Sequence, residues 1–266
     1  MKNTIIQWNC RGLKANYNEI LLLLNKYDPA LLCLQETFLK HTDNITFKNY
    51  SLFNTYLQNV DRASGGVSIA VNNRAPHRNI PLNTNLQAIA VSVTLHRVIT
   101  FCSVYIPPNT KLSPNELDTL VQQLPTPFVL LGDFNAHNSL WGSKYISDRG
   151  KKVEDFVARY DLCLFNNKSP TYLHPGTGTY TCIDLTICTP SLLLDYNWKV
   201  ADDLHSSDHF PIYLKNTNTK IDDTIPQWNL KKADWAKFEI LCTMRLNRNT
   251  ILNDDDPIRQ FTSIVI

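Results

Sequence analysis

The stretch "LLGDFNAHNSLWG", residues 130–142, runs from an apolar segment straight into Asp133, Asn135, His137 and Asn138. A turn accounts for this locally, because Asp and Asn side chains bond their own backbone and tolerate tight geometry. Other polar residues sit in the same way at the ends of apolar, strand-like runs. Asn9 follows "TIIQW", Glu36 follows "ALLCLQ", and Asp208 with His209 immediately precedes "FPIYL". Asp184 lies within "TCIDLTI", where a charge inside a buried strand is costly without a partner. In layered α/β proteins ligands gather at strand ends, so these groups are candidates for one shared cleft. Carboxylates brought together repel unless a cation neutralises them, and hard oxygen ligands favour Mg²⁺, which keeps waters and binds phosphate. Each residue alone has a plainer reading: Asn9 and Asn135 as turn residues, Glu36 as a surface side chain, "HSSDHFPI" as a loop. His41, His77, His96, His137, His174 and His205 have no supporting context and read as structural or exposed.

The elements that must position these groups follow from periodicity. "TIIQWN" reads as a buried strand, followed by a helix over residues 16–27. Asn16 is the expected cap, with Glu19 three residues on and Ile20, Leu23, Leu24 and Tyr27 on one face. Pro29 helps end that helix, and "ALLCLQE" is the next strand. "GGVSIAV", "LQAIAVSVTL" and "VITFCSVYI" are strand candidates, the last two joined as a hairpin near His96 and Arg97. A second helix starts at Ser113, with Pro114 in its first turn and Glu116 completing a capping box. "PFVLLG" is a buried strand, "GKKVEDFVARY" an amphipathic helix, and "LCLFN", "TCIDLTI" and "FPIYL" are further strands. Strands with interspersed helices imply an α/β layered protein. From about Lys215 the texture turns polar in "KNTNTKIDDTIPQ", a linker, followed by a helix in "KKADWAKFEILCTMRL" and a loop at "NDDDP". The domain proper is therefore residues 1–215, and residues 216–266 are a linker and helical extension.

Composition sets the outer bounds. The 266 residues include 43% hydrophobic and 19% charged residues, the balance of a soluble globular protein with ample length for a core. A net charge of +2 permits nucleic-acid binding through local patches without demanding it. The seven cysteines are odd in number and form no CxxC pair, so neither a disulfide framework nor a zinc site is indicated. A reducing, intracellular compartment is expected, with no membrane partner.

Taken in order, "WN", "LQET", "VYIPP", "GDFN", "IDL" and "SDH" resemble the endonuclease/exonuclease/phosphatase superfamily. The likeness spans residues 4–215, and "GDFN" alone carries less of it than all the pieces in order. Within the superfamily the chain is most similar to the exonuclease III-like endonucleases of non-LTR retrotransposons. "RGKKVEDFVARYDLCLFNNKSPTYL" and "IPQWNLKKADWAKF" look like jockey-type retroelement proteins, in which such an endonuclease precedes a reverse transcriptase. The resemblance implies a DNase I-like, four-layer sandwich of two mixed β-sheets flanked by helices. It implies that Glu36 is a metal ligand with Asn9 supporting it, that Asp133 orients or deprotonates the attacking water, and that Asn135 is its neighbouring ligand. It pairs Asp184 with His209, adds Asp208 to the metal shell, and gives Tyr105 of "VYIPP" a phosphate contact. Thr171 and Ser207 match hydroxyl positions of the retroelement branch.

The implied chemistry is phosphodiester hydrolysis in DNA with Mg²⁺, for which Mn²⁺ can substitute, leaving a 3′-hydroxyl and a 5′-phosphate. In a retroelement that hydroxyl can prime reverse transcription, so the implied partners are DNA, the reverse transcriptase region and the element's RNA. Arg11 in "WNCRGL" stands where abasic-site endonucleases often carry an aspartate, which weakens a second metal position and favours nicking of undamaged DNA. Arg11, Lys14, Arg62, Lys144, Arg149, Lys151 and Lys152 are candidate DNA contacts, and "HPGTGT", residues 174–179, is a candidate hairpin tip. The alternatives are another phosphoesterase of the same superfamily and an inactive DNA-binding remnant.

Overall fold

The computed structural model describes residues 2–56, 63–217 and 235–245. The chain divides into two compact units, residues 1–220 and 221–266. In the second unit the described part is a helix, α4 (Trp235–Arg245), within the stretch expected to be helical. The rest of the expected extension, "NDDDP" included, lies outside the described residues, as do most of the linker and Arg62.

The first unit is built on two six-stranded mixed sheets. One sheet contains β1 (Lys2–Asn9), β2 (Pro29–Gln35), β3 (Tyr50–Thr55), β4 (Val67–Asn72), β13 (Tyr196–Val200) and β14 (Ile212–Asn216), in the order β13-β14-β1-β2-β4-β3. The other contains β5 (His77–Ile80), β6 (Gln87–Thr94), β7 (Val98–Tyr105), β8 (Phe128–Asp133), β9 (Cys163–Leu164) and β12 (Asp184–Cys188), in the order β5-β6-β7-β8-β12-β9. In each sheet one central pair is parallel, β1 with β2 and β7 with β8, while all other pairs are antiparallel. A short hairpin, β10 (Tyr172–Leu173) with β11 (Tyr180–Thr181), stands apart from both.

Three apolar clusters define four layers. Ile5, Leu31, Ile69, Val91, Phe101, Val129, Leu131 and Leu214 form the core between the sheets. The helix α1 (Tyr17–Tyr27) covers the first sheet's outer face through Ile20, Leu23 and Leu24, against Ile6, Trp8, Leu32 and Leu34. On the second sheet's outer face, α2 (Pro114–Val121) and α3 (Asp148–Arg159) pack Leu117, Leu120, Val153 and Phe156 on Cys102, Val104 and Leu130. The central strands β2, β4 and β8 are buried along their whole length, hence their continuous apolar runs. The fold is the expected DNase I-like arrangement.

Several local expectations differ from the structure. Asn16 precedes α1 but its amide donates to the Cys10 carbonyl at 2.6 Å, and Glu19 pairs with His205, so no capping box forms there. At α2 the expected box is present, with Glu116 accepting from the Ser113 N–H at 2.6 Å. "TCIDLTI" is two elements: Thr181 ends β11 and Asp184 opens β12. The strands β3, β5 and β13 escape the sequence, because their half-exposed polar residues blur the alternation that marks a strand.

Candidate active site

Register brings the polar groups together. In the second sheet Tyr105, Asp133 and Asp184 stand side by side, Tyr105 opposite Asp133 and Asp133 opposite Asp184. In the first sheet Asn9 ends β1 and Glu36 follows β2 directly, with Asn9 opposite Gln35. His209 lies just before β14, where a bridge to Tyr172 and a bond from the Trp8 indole to its carbonyl, 2.9 Å, hold it. Gln7, one turn of the pleat below Asn9, donates to the Gly132 carbonyl at 3.1 Å and accepts from Thr186 at 2.9 Å. Gln35 donates to Ser103 at 2.8 Å. These buried bonds fasten the two sheets to each other immediately beneath the site.

The backbone around the site is constrained as well. Gly132 has φ +150°, and a Cβ there would meet the Val104 carbonyl oxygen at 1.9 Å, so glycine is required where β8 passes β7. Arg11, Glu36 and Asn135 all adopt left-handed φ values, 45°, 50° and 46°. Non-glycine residues rarely do so, and they concentrate at functional sites.

Asn9 is the hub. Its amide nitrogen lies 3.1 Å from Glu36 Oε1, 2.9 Å from Asp133 Oδ2 and 3.4 Å from His209 Nε2, while its oxygen accepts from the Arg11 N–H. Asn9 therefore turns its amide donor toward the centre, between the two acids. Asn135 similarly donates to Asp133 Oδ2 at 3.1 Å and to the Ile106 carbonyl, and its N–H binds Asp133 Oδ1 at 2.9 Å. Its amide donor is thus engaged in fixing Asp133.

His209 is clamped between two carboxylates. Its Nδ1 is 2.8 Å from Asp184 Oδ2, and its Nε2 is 3.8 Å from Asp133 Oδ2. Burial pulls the His209 pKa down, but the charge and hydrogen bond of Asp184, then Asp133 and Asp208, outweigh it and raise it to about 9. Burial raises Asp133 to about 7, with Asp184 and Glu36 adding to the rise and His209 opposing it. Burial and the negative field of Glu36 and Asp133 push the Tyr105 phenol up, so it stays neutral. Among the described residues Asp133, Asp184 and His209 offer ligand atoms close enough to share an ion. Asp184 Oδ2 is, however, already engaged by His209 and by Thr171, whose hydroxyl donates to it at 2.7 Å.

These groups face a cleft of about 560 Å³, lined by Glu36, Tyr105, Asp133, Asn135, Asp208 and His209 together with Lys144. Three candidate DNA contacts, Arg149, Lys14 and Lys152, and the two hydroxyl residues, Thr171 and Ser207, are engaged by the protein itself. Arg149 donates through both terminal guanidinium nitrogens to the carbonyls of Ile106, Phe134, Asn135, Pro107, Pro108 and Thr110, which locks the loops around the site. Thr171 is fully buried under Asp184. The Ser207 hydroxyl donates to the Asn9 carbonyl at 2.8 Å and accepts from the His209 N–H. Lys14 pairs with Asp43, and Lys152 donates to the Leu112 carbonyl. Arg11 is exposed and pairs with Asp208 at 3.3 Å, at the cleft's edge. The segment 174–179 is the tip of the β10–β11 hairpin, as expected.

Sequence reasoning missed the aromatic side of the cleft. His137 and His174, assigned as structural or exposed, line it with Tyr145, Tyr172 and Tyr180. The signal available was position: His137 lies two residues after Asn135, and Tyr172 and Tyr180 flank the hairpin tip.

Comparison with known proteins bears on the fold that carries these residues. Residues 99–213 match the family model described as endonuclease-reverse transcriptase. The chain is 25% identical over 214 residues to the probable RNA-directed DNA polymerase from transposon X-element of Drosophila melanogaster, covering 79% of this chain and 24% of that protein. It is 25% identical over 210 residues to the RNA-directed DNA polymerase from mobile element jockey of the same fly, covering 77% and 23%. It therefore spans about a quarter of the length of these curated relatives. Among solved structures, the endonuclease domain of TRAS1, a telomere-specific non-LTR retrotransposon, superposes with a TM-score of 0.69 at 23% identity, covering 80% of this chain and 97% of that one. An AP endonuclease from Archaeoglobus fulgidus gives 0.62 at 15% identity, covering 82% and 100%.

Proposed function

We propose that this homologue of jockey-type non-LTR retrotransposon proteins is a divalent-metal-dependent DNA endonuclease that hydrolyses a phosphodiester and leaves a 3′-hydroxyl. The observation that carries the proposal is the single polar centre of Asn9, Glu36, Asp133, Asp184 and His209, whose Glu36, Asp133 and His209 line the floor of one cleft.

The donor set fits a hard divalent cation. Glu36 and Asp208 present carboxylates to the cleft, and Asp184 Oδ1 is a buried acceptor with no hydrogen-bond partner. Glu36 and Asp208 would hold Mg²⁺, or Mn²⁺ in its place, and Asn9 and Tyr105 would hold Glu36 in position. The ion supplies neutralisation of phosphate charge and stabilisation of the leaving 3′-oxygen. Asp133, fixed by Asn9 and Asn135 and titrating near neutrality, takes the proton of the attacking water as the water oxygen bonds phosphorus. The P–O3′ bond breaks with its electron pair on O3′, which takes a proton from a solvent water, giving a 3′-hydroxyl and a 5′-phosphate. His209 carries a proton at neutral pH and directs Nε2 to a phosphoryl oxygen, because Asp184 holds Nδ1. Arg11 and Lys144, at the edge, meet flanking DNA phosphates. The reverse transcriptase region and RNA of the same element are the proposed partners, since the 3′-hydroxyl serves as a primer, and the nucleus is the proposed place of action.

The test is nicking of supercoiled plasmid in Mg²⁺, compared with an abasic-site duplex, a 3′-phosphorylated duplex and a phosphoinositide. Nicks in undamaged plasmid that vanish with EDTA and with Asp133→Ala are expected. Absence of nicks, or turnover confined to another phosphoester, rejects the proposal. DNA binding without turnover in either metal identifies an inactive remnant.

A further inference from the structure

The loop between β13 and β14, residues 201–211, carries Ser207, Asp208 and His209 and bends sharply just before them. The Ser207 N–H donates to the Leu204 carbonyl at 3.1 Å, closing a tight turn. Its central residues, His205 and Ser206, have φ values of 51° and 65°. Two successive positive φ values are the pattern of a type I′ turn, which glycine and asparagine adopt readily and other residues do not. Such strain persists only where the surroundings hold it. Here the His205 side chain provides the hold. Its Nδ1 lies 2.8 Å from a Glu19 carboxylate oxygen on α1, and its ring meets Trp8 edge-on with centroids 6.2 Å apart. With side chains 15% and 30% exposed, His205 and Glu19 form a shielded pair rather than a solvated one. Trp8 in turn donates its indole N–H to the His209 carbonyl, and the Ser207 hydroxyl joins the Asn9 carbonyl to the His209 N–H.

We infer that Glu19 and His205 are positioning residues, which act through Trp8 and the strained turn to set where His209 stands in the site. The inference rests on the nuclease reading and gives α1, the outer layer over the first sheet, a part in turnover. Neither side chain lines the cleft. A histidine at a left-handed position costs backbone free energy that its contacts with Glu19 and Trp8 offset. Without that anchor the turn relaxes, and His209 Nε2 moves relative to the phosphoryl oxygen. A displacement on the order of 1 Å at a reacting group slows turnover strongly while leaving the packed core intact. Strain and anchor are separable: glycine at 205 removes both, whereas glycine at 206 removes strain alone.

The experiment measures kcat and KM for plasmid nicking in Mg²⁺, the melting temperature, and the far-downfield proton resonance of the His209 Nδ1–H bonded to Asp184, the last in EDTA. Glu19→Ala and His205→Gly are each expected to lower kcat about tenfold with KM nearly unchanged, and to shift or broaden the His209 resonance. Glu19→Gln keeps an acceptor for the His205 ring and restores both kcat and the resonance. Ser206→Gly keeps the anchor, so kcat stays at the wild-type level while the melting temperature rises. Wild-type kcat in both Glu19→Ala and His205→Gly overturns the inference, as does a loss in Glu19→Gln equal to that in Glu19→Ala. A His209 resonance identical in all the proteins overturns it too. If the wild-type protein nicks nothing, the nuclease reading falls and the resonance alone decides whether Glu19 and His205 position His209.

Discussion

The floor and the rim of the cleft use similar residue types to opposite ends. On the floor, charged groups are bound by the protein itself: Asp133 by Asn9 and Asn135, Asp184 Oδ2 by Thr171 and His209, and Arg149 by six carbonyls. At the rim, Arg11, Lys144, Tyr145 and Tyr180 are exposed. Burial strengthens electrostatics and makes an unpaired group costly, so floor residues are coupled and intolerant. Rim groups remain in water, where each contributes little to folding and is available to a ligand. Residue type alone does not separate these regions; accessibility does.

The largest effect is expected on the floor. His209→Ala and Asp133→Asn should each lower plasmid nicking by about 10³-fold or more, with circular dichroism unchanged, because each removes a group acting only on the reacting phosphate. If either variant nicks within tenfold of wild type, the floor is not the reaction centre. Arg149→Ala should destabilise the domain by about 3 kcal/mol in urea unfolding, since six carbonyls lose their donor. A stable Arg149→Ala protein with a weakened salt dependence of DNA binding would move Arg149 to the rim.

Smaller effects follow. Thr171→Val, which keeps shape but removes the hydroxyl from Asp184, should reduce kcat about tenfold with little change in KM. The pH profile sharpens the same contrast. A raised His209 pKa means that its interactions stabilise the fold fully below its unfolded value and are lost as pH rises through about 9. Thermal stability and nicking should therefore both fall above that pH, and His209→Gln should flatten the stability limb. At the rim, Arg11→Ala or Lys144→Ala should weaken DNA binding only a few-fold and reduce the slope of log K against log salt by about one unit each. A slope unchanged in both would show that neither side chain meets a phosphate.

Much of the site was legible because strand ends are marked in sequence. Asn9, Glu36, Asp133 and His209 each border a run of buried residues, and layering places such borders together. Gly132 was visible too, although only the parallel passage of Val104 explains why it is glycine. Arg149 was not legible: its sequence neighbours are those of a solvated helix start, and four of its six carbonyl partners lie 39 to 43 positions away. The His137–Tyr145 wall escaped for a related reason, since its anchor, Thr181, comes from a distant hairpin.

By itself, the sequence determined the apolar periods, the helix faces and the order of acidic, amide and imidazole residues along the chain. These depend on local backbone geometry and on which side chains avoid water, so near neighbours suffice to express them. The tertiary structure alone decided which polar groups are engaged by the protein and which face the cleft. It also decided that Asn9 turns a donor inward and that His209 holds its proton to about pH 9. Those properties depend on distances and burial among residues up to 200 positions apart, and packing sets them.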